Sequence, residues 1–399
     1  MITMGWMKPT CASLPLVKNT TKCLLRQLEN GLTQRMYNAW PVSKAMKKNC
    51  IYLYPLLIAL ALLFTSCKGN TAGSLMQASG SPGEVLLVMD KDWQASSAGL
   101  ATKDMLQAEV YALPQVEHWM RVLTVDQRDF NDFLRNTRNI FIVDANDATY
   151  SKNSLKYAYD PWANGQLVVT LQTPSKDSLE AFVSGAGAGV VRDLFLRHEL
   201  YRLANDLLVK GYSIKADSFA TALFNHHINV PGDIVSYKSD EGFLWMSNNT
   251  YSKRMDLAVF SLPYLGNEIP SVERVLELRD SVLGSQIPGS TPESHMKHNS
   301  LVPVKARLVN IPGGNIRLEI NGLWEMSGKD MMAGPFVSHT FIDLDSHTLY
   351  YVEGFIYHPN ELKRDLVRRM QAALYSFRNT EEGEFDPAVL KKITWRSVE

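Results

Sequence analysis

The alternation of apolar and polar positions predicts strands and helices in turn along the first half of the chain. Strands are predicted at 85–89, 139–143 and 166–171, and helices at 100–113, 125–134 and 175–209. The apolar run at 85–89 lies between Pro-Gly and Asp-Lys-Asp, which is typical of a buried strand. Three glycines within 185–189 interrupt the longest helix. Because glycine is unfavourable inside a helix, the sequence predicts a break or kink there.

The second half is richer in strands joined by hairpin turns. Strands are predicted at 242–246, 255–262, 302–310, 316–323, 336–344 and 349–356, and helices at 271–283 and 359–377. Pro312-Gly313-Gly314-Asn315 and Asp345-Ser346-His347 separate consecutive strands and favour tight turns. Each half thus contains strands, a helix, further strands and a terminal helix. We expect an α+β fold of two lobes, 83–225 and 226–399, built from mainly antiparallel strands with packed helices.

Residues 1–66 have the features of a leader. Met46-Lys47-Lys48-Asn49 forms a short basic head, and the 14 apolar residues that follow at 51–64 are fewer than the roughly 20 needed to span a membrane. These proportions predict a signal peptide at 46–66 with translation starting at Met46. Residues 1–45 are then an upstream extension of the reading frame, or alternatively a cytoplasmic tail.

Phe64-Thr65-Ser66-Cys67 resembles the bacterial lipobox, in which the cysteine is diacylated and becomes the new N-terminus. This resemblance implies a lipoprotein anchored to the membrane through palmitate-type chains on Cys67, since two or three acyl chains hold a protein firmly. Residues 67–82 are then the lipidated cysteine and a flexible Gly/Ser-rich tether. No acidic cluster follows Cys67, so we expect the periplasmic face of the cell envelope rather than the cell surface.

Charge and cysteine usage narrow the functions that the exported part can have. Of the 41 basic and 41 acidic residues, eight basic and one acidic lie in 1–66, which leaves 33 basic and 40 acidic residues from Cys67 onward. A net charge of −7 disfavours nucleic-acid binding. The four cysteines are Cys11, Cys23, Cys50 and Cys67. Disulfides, thiolate catalysis and cysteine-bound zinc are therefore not expected after Cys67.

Short motifs suggest catalytic or metal chemistry, and each is incomplete. The glycines of 185–189 lack the Gly-Lys-Ser/Thr ending of a phosphate loop, and His198-Glu199 lacks a second histidine at Arg202. His295 and His298 have no clear third zinc ligand, and Ser294-x-x-Lys297 lies in a loop without the motifs that accompany it in penicillin-recognising enzymes. We expect no metal and no cofactor.

The densest apolar motifs lie around Trp324 and again after Met331. Aromatic and methionine side chains beside Gly-Pro are suited to line an apolar ligand groove, because they give a large contact area at low entropic cost. Core packing between strands with a Gly-Pro turn explains the same residues and is the interpretation that the sequence favours. The candidate groove residues are Trp324, Met326, Gly334, Pro335, Phe336 and Tyr357.

These motifs resemble a family of Bacteroidetes-type lipoproteins described as a domain of unknown function. The resemblance rests on the lipobox, on Arg138-Asn139-Ile140, and on the motifs Gly322-Leu323-Trp324-x-Met326, Gly334-Pro335-Phe336 and Gly354-Phe355-x-Tyr357-x-Pro359 with Lys363-Arg364. It would cover residues 83–378. The resemblance implies an envelope address and supplies no catalytic residue.

The sequence therefore predicts a non-enzymatic envelope lipoprotein that binds a partner protein or a component of the cell envelope. The motivation is an anchor and a tether without a complete catalytic motif. The alternative is a periplasmic hydrolase whose site is assembled only by the fold.

Overall fold

The computed structural model describes residues 75–398. The predicted leader, Cys67 and the first residues of the tether lie outside this range. Residues 76–79, at the end of the predicted tether, hydrogen-bond to loops of the first lobe: the Ala78 amide donates to Asn164 O at 3.0 Å and the Ser79 amide to Asn136 O at 2.8 Å. The folded part thus begins before residue 83.

The first lobe is a five-stranded sheet with helices. Its strands are β1 (Glu84–Val88), β2 (Arg121–Val125), β3 (Asn139–Ala145), β4 (Ser154–Tyr159) and β5 (Leu167–Thr173), and its helices are α1 (Lys91–Gln94), α2 (Ser97–Leu106), α3 (Lys176–Ser184) and α4 (Ala186–Lys210). The strand order is β2-β1-β3-β5-β4. In this order β2, β1, β3 and β5 run parallel to one another, and only β4 is antiparallel to its neighbour β5. Most strand pairs of the described residues are antiparallel, as predicted, and this sheet is the exception, because crossovers such as the α1–α2 segment between β1 and β2 return the chain in the same direction.

The predicted helix at 125–134 is wrong. Strand β2 ends at Val125, and the segment continues with short 3-10 turns at Gln127–Asp129 and Leu134–Asn136. Asp126 starts the first turn by accepting a hydrogen bond from the Arg128 amide at 3.0 Å. Val125 pairs with Val88 of β1, so a strand contact from outside the segment overrides its local helical spacing.

The predicted helix at 100–113 ends earlier, at Leu106. Residues 108–119 fold back as a ribbon in which the Val110 amide donates to Glu117 O at 2.8 Å and the Trp119 amide to Ala108 O at 2.7 Å. These bonds satisfy backbone groups that a longer helix would have used.

The second lobe contains a nine-stranded sheet. Its elements are α5 (Ile214–Phe224), β6 (His226–His227), β7 (Ser236–Asp240), β8 (Phe243–Ser247), β9 (Arg254–Pro263), α6 (Val272–Gln286), β10 (Met296–His298), β11 (Lys305–Asn310), β12 (Arg317–Met326), β13 (Ala333–Asp343), β14 (Thr348–Tyr357), α7 (Arg364–Tyr375), β15 (Arg378–Asn379) and β16 (Thr394–Ser397), with 3-10 turns at Thr380–Glu382 and Pro387–Lys392. The order is β16-β11-β12-β13-β14-β9-β8-β7, with β10 paired to β12 and all pairs antiparallel. The α+β class and both hairpins of the second half are confirmed.

Both faces of the large sheet are buried. Leu244 and Met246 of β8 pack with α5 and α7, whereas Phe243 packs on the opposite face with α6. Successive side chains of a strand point to opposite faces, so strands covered on both sides must be apolar at nearly every position. This explains the long apolar run of β14, in which every residue from Leu349 to Ile356 is buried.

Helix α4 joins the lobes. It follows a break at Gly185, as predicted, and its Val191 and Phe195 belong to the core of the first sheet. Leu200 and Ala204 pack instead with Ala372 of α7. One helix thus contributes to both cores. No helix within 75–398 combines the length and apolar character needed to cross a membrane.

Candidate functional site

A pocket of about 160 Å³ lies at the end of the large sheet where hairpins β8–β9 and β12–β13 turn. We call it the tryptophan pocket. Its lining comprises Trp245, Arg254, Asp256, Ile287, Pro288, Gly289, Ser290, Met296, Trp324, Met326, Asp330, Met332, Phe355 and Tyr357. These residues come from strands β8, β9, β10, β12 and β14 and from the loops that follow α6 and β12.

Trp324 has a fixed orientation in the wall. Its side chain is 3% exposed, and its indole N–H donates to Ile356 O at 3.2 Å. The ring meets Phe355 edge to face, with 5.6 Å between centroids. Since a buried indole needs a partner for its N–H, this bond holds the ring as a rigid wall.

Three methionines form the adaptable part of the lining. Met296 and Met326 face each other across the β10–β12 pair, and Met332 lies in the next loop, where its carbonyl accepts from the Met326 amide at 2.9 Å. Methionine has three rotatable bonds and a polarisable sulfur, so such a wall can fit apolar groups of different shapes.

The polar end of the pocket contains a buried carboxylate. Asp256 is 1% exposed and accepts from Arg254 Nε at 2.9 Å and from Trp245 Nε1 at 3.0 Å. The Arg254 guanidinium lies 5.4 Å from the Trp245 ring centroid. Burial raises the pKa of Asp256, although Arg254 opposes the shift. With these partners in place, the carboxylate and the guanidinium lie against each other, and apart from Ser290 and Asp330 the other side chains of the lining are largely apolar.

Two loops are fastened together at the mouth of the pocket. Asp330 accepts hydrogen bonds from both the amide and the hydroxyl of Ser290, the former at 2.6 Å. These bonds lower the pKa of Asp330. At the tips of the neighbouring turns, Tyr251 is 96% exposed and Met331 is 97% exposed. Met331 lies in the chain between the lining residues Asp330 and Met332, so a large apolar side chain next to the pocket is in full contact with solvent.

A buried ion pair supports the wall from behind. Arg279 of α6 donates from Nε and Nη2 to the two carboxylate oxygens of Glu353, both at 2.7 Å, and both side chains are fully buried. Its Nη1 donates to Asp280 at 2.9 Å, and Asp280 contacts His298 Nδ1 at 2.6 Å. This chain of contacts fixes β10, and with it Met296, against α6.

The structure separates the residues of the expected groove. Trp324, Met326 and Tyr357 line the tryptophan pocket. Gly334 lies behind Trp324, where a Cβ would collide with the carbonyl oxygen of Ile356. Pro335 pairs with Leu323 in the sheet, and Phe336 is 1% exposed beneath the Arg279 guanidinium. Gly334, Pro335 and Phe336 are therefore part of the packing between strands.

His198 and Glu199 of α4 are both buried and contact neighbouring side chains of the first lobe. His198 stacks between Tyr159 and Tyr201, and burial lowers its pKa to about 4. Glu199 accepts from Arg138 at 3.0 Å and from Asn139 at 2.9 Å. Burial opposes its ionisation, but these partners more than offset that effect and the pKa of Glu199 falls below its ordinary value. The Arg138-Asn139 motif therefore ties β3 to α4.

The loop histidines His295 and His298 contact different side chains. His298 contacts Asp280, whereas His295 Nδ1 lies 2.8 Å from Ser327 Oγ. The Ser327 hydroxyl also accepts from the His295 amide at 3.1 Å, so this pair closes a loop. Within residues 75–398 no group of three His, Cys, Asp or Glu side chains is arranged to hold a metal ion.

The Ser-x-x-Lys motif is dispersed as well. The Ser294 hydroxyl donates to Ser327 O at 2.7 Å, while Lys297 Nζ pairs with Glu325 at 3.1 Å. The serine hydroxyl thus has a backbone acceptor and the lysine a separate carboxylate. The arrangement that would activate the serine is not formed.

Sequence reasoning missed most of the pocket. Trp245, Asp256 and Ile287 come from segments far from Trp324, and the only local signal was the bulky Trp245 within β8. The Arg279–Glu353 pair was missed because charged helix positions are usually solvent-exposed.

Two family models match the chain. Residues 78–207 match a domain of unknown function (DUF8532), and residues 214–376 match another domain of unknown function (DUF4837). The second match contains Trp324, Met326 and the other candidate groove residues. No curated protein matches.

Proposed function

We propose that the chain is a non-enzymatic lipoprotein of the cell envelope, anchored through Cys67, whose tryptophan pocket binds an apolar side chain of a partner protein. The observation that carries this proposal is a pocket with aromatic and methionine walls next to the fully exposed Met331, which lies between the lining residues Asp330 and Met332. Exposed large apolar groups around a concave apolar site are typical of protein docking surfaces.

The size of the pocket favours one anchoring side chain. Its volume of about 160 Å³ is close to that of a cavity that accepts one benzene-sized group. Burying a leucine or phenylalanine side chain contributes about 1.5–3 kcal/mol. This gain alone gives weak binding, so the partner must also contact the rim.

The anchor is tested separately from the pocket. The full chain is expressed in the cells that naturally produce it, and these are fed a clickable palmitate analogue. The protein should become labelled and should sediment with membranes. The Cys67→Ala variant should lose both the label and the membrane association. Equal labelling of the two proteins would contradict the anchor.

The pocket is tested first by photocrosslinking in intact cells. A photoreactive benzophenone amino acid replaces Met331 at the mouth, and the matched control carries it at Leu265, which is 86% exposed beyond the far end of β9. One discrete adduct is expected at position 331 and none at 265.

The partner protein identified in the adduct is then purified by itself, and its affinity for the full-length lipoprotein is measured in mild detergent. Met326→Glu, which places a charge in the apolar wall, should weaken binding at least about tenfold. Leu265→Glu adds the same charge at the remote surface and should leave the affinity unchanged. Equal affinities for wild type and Met326→Glu would refute the pocket as the binding site.

A further inference from the structure

A second, larger cavity lies between the two lobes. It has a volume of about 620 Å³ and is bordered by residues 108–111, α4, β11 and α7. We call it the basic cleft, after the cations in its lining: Arg192, Lys305, Arg307, Arg364 and Arg368. Cavities of this volume between lobes commonly hold small molecules.

The charges of the basic cleft are unbalanced. Its lining contains five basic side chains and two acidic ones, Glu109 and Asp193. Arg307 is neutralised by Glu319, which lies behind it at 2.7 Å, and Arg364 pairs with Asp365 at 2.9 Å. The other three cations form no ion pair within residues 75–398.

Arg368 is the most unusual of the unpaired cations. It is 5% exposed, and its Nη2 donates to Trp119 O at 2.8 Å. Its Nη1 is buried and has no hydrogen-bond acceptor within 75–398. Burial, with a contribution from nearby Arg364, lowers its pKa to about 10, so it remains charged at neutral pH. Glu199, Asp365 and Glu117 oppose this shift without forming an ion pair with Arg368. An anion in the cleft would further stabilise the buried charge.

Apolar side chains line the cleft beside these cations. Lys305 Nζ lies 4.3 Å from the Tyr111 ring centroid, and Leu196, Val304 and Val367 complete the apolar part of the wall. A ligand that fits these surroundings has an apolar or aromatic body as well as a negative charge.

We propose that the basic cleft binds an organic anion, a small molecule that carries a carboxylate, phosphate or sulfonate group on an apolar body. The anionic group lies against Arg192 and Lys305, the two unpaired cations that are least buried. This site is separate from the tryptophan pocket, and the two proposals succeed or fail independently.

The test uses two dyes that share their aromatic rings. 1-Anilinonaphthalene-8-sulfonate carries the negative charge, and N-phenyl-1-naphthylamine lacks it. Fluorescence titrations are made on the full chain in mild detergent, and the signal of each dye in the same detergent without protein is subtracted. The variant is Arg192→Gln with Lys305→Gln, and the control is Arg128→Gln with Lys152→Gln, which removes the same charge from exposed positions outside the cleft.

The sulfonate dye should bind wild type saturably and more tightly than the neutral dye. The cleft variant should weaken it about tenfold, or about 1.4 kcal/mol, while the control leaves it unchanged. Lys305→Gln alone gives the same direction of change if the double variant is poorly folded. The proposal is overturned if the sulfonate dye does not bind, if the neutral dye binds as tightly, or if Met326→Glu rather than the cleft variant weakens binding.

Discussion

The buried pair of Arg279 and Glu353 gives the sharpest prediction about the support of the tryptophan pocket. Both side chains are fully buried and joined by two bonds of 2.7 Å. Replacing Glu353 with leucine leaves the guanidinium with Asp280 as its one described hydrogen-bond partner, at 2.9 Å, and removes the acceptor of the Tyr351 hydroxyl. Removing one member of such a pair typically costs about 3–5 kcal/mol, because a buried charge is left uncompensated.

The prediction has a second part, since the pair itself contributes little net stability. The two charges lose their hydration on burial, and their attraction largely repays that cost. The double variant Arg279→Met with Glu353→Leu should therefore recover most of the loss seen in Glu353→Leu. Urea unfolding, followed by tryptophan fluorescence, is measured for wild type, Arg279→Met, Glu353→Leu and the double variant, which complete a double-mutant cycle.

A matched control lies on the same helix. Arg274 and Glu277 of α6 form a pair at 2.8 Å, but their side chains are 60% and 65% exposed. Glu277→Leu should leave the urea midpoint nearly unchanged, because solvent screens exposed pairs. The reasoning is refuted if Glu353→Leu costs less than about 1 kcal/mol, or if the double variant is as unstable as the two single losses added together.

Two further predictions concern stability. Burial lowers the pKa of His198 to about 4, against 6.5 in the unfolded chain, so the unfolded state takes up the proton first as the pH falls. Between about pH 7.5 and pH 5 the wild type should lose about 2 kcal/mol more than His198→Phe in urea unfolding, and parallel losses would contradict the neutral buried histidine. A Cβ at Gly354 would lie 2.5 Å from Met370 Cβ, whereas one at Gly189 of α4 meets nothing within 4 Å. Gly354→Ala should destabilise the fold by about 1–3 kcal/mol and Gly189→Ala should stabilise it by up to about 1 kcal/mol, and calorimetry that ranks them the other way would reject the close packing of α7 on β14.

The local sequence pattern was sufficient to predict elements whose ends are marked by turn-forming or helix-breaking residues. The hairpin over Pro312-Gly313-Gly314-Asn315 and the break at Gly185 were predicted because turn and helix-breaking residues act locally. The helix predicted at 125–134 failed because β2 is stabilised by β1, more than thirty residues earlier in the chain. Pairing with a distant strand cannot be predicted from the spacing of apolar residues within one segment.

The same distinction applies to the sites. Trp324, Met326 and Tyr357, which line the tryptophan pocket, lie in stretches where aromatic and methionine residues cluster in the sequence. Arg254 and Asp256 join them only through the pairing of β9 with β14. The basic cleft was not predicted at all, because its cations come from α4, β11 and α7, and arginines spaced along separate elements read as ordinary surface charge.

The central claim is that the tryptophan pocket is where a partner protein docks. The most direct test is methyl NMR of the lipoprotein labelled at its methionine methyl groups, titrated with the partner identified by crosslinking at position 331. The resonances of Met296, Met326 and Met332 should shift saturably, while that of Met105, buried in the first lobe, stays in place. Saturable binding that leaves the three pocket methionines unshifted would contradict the account.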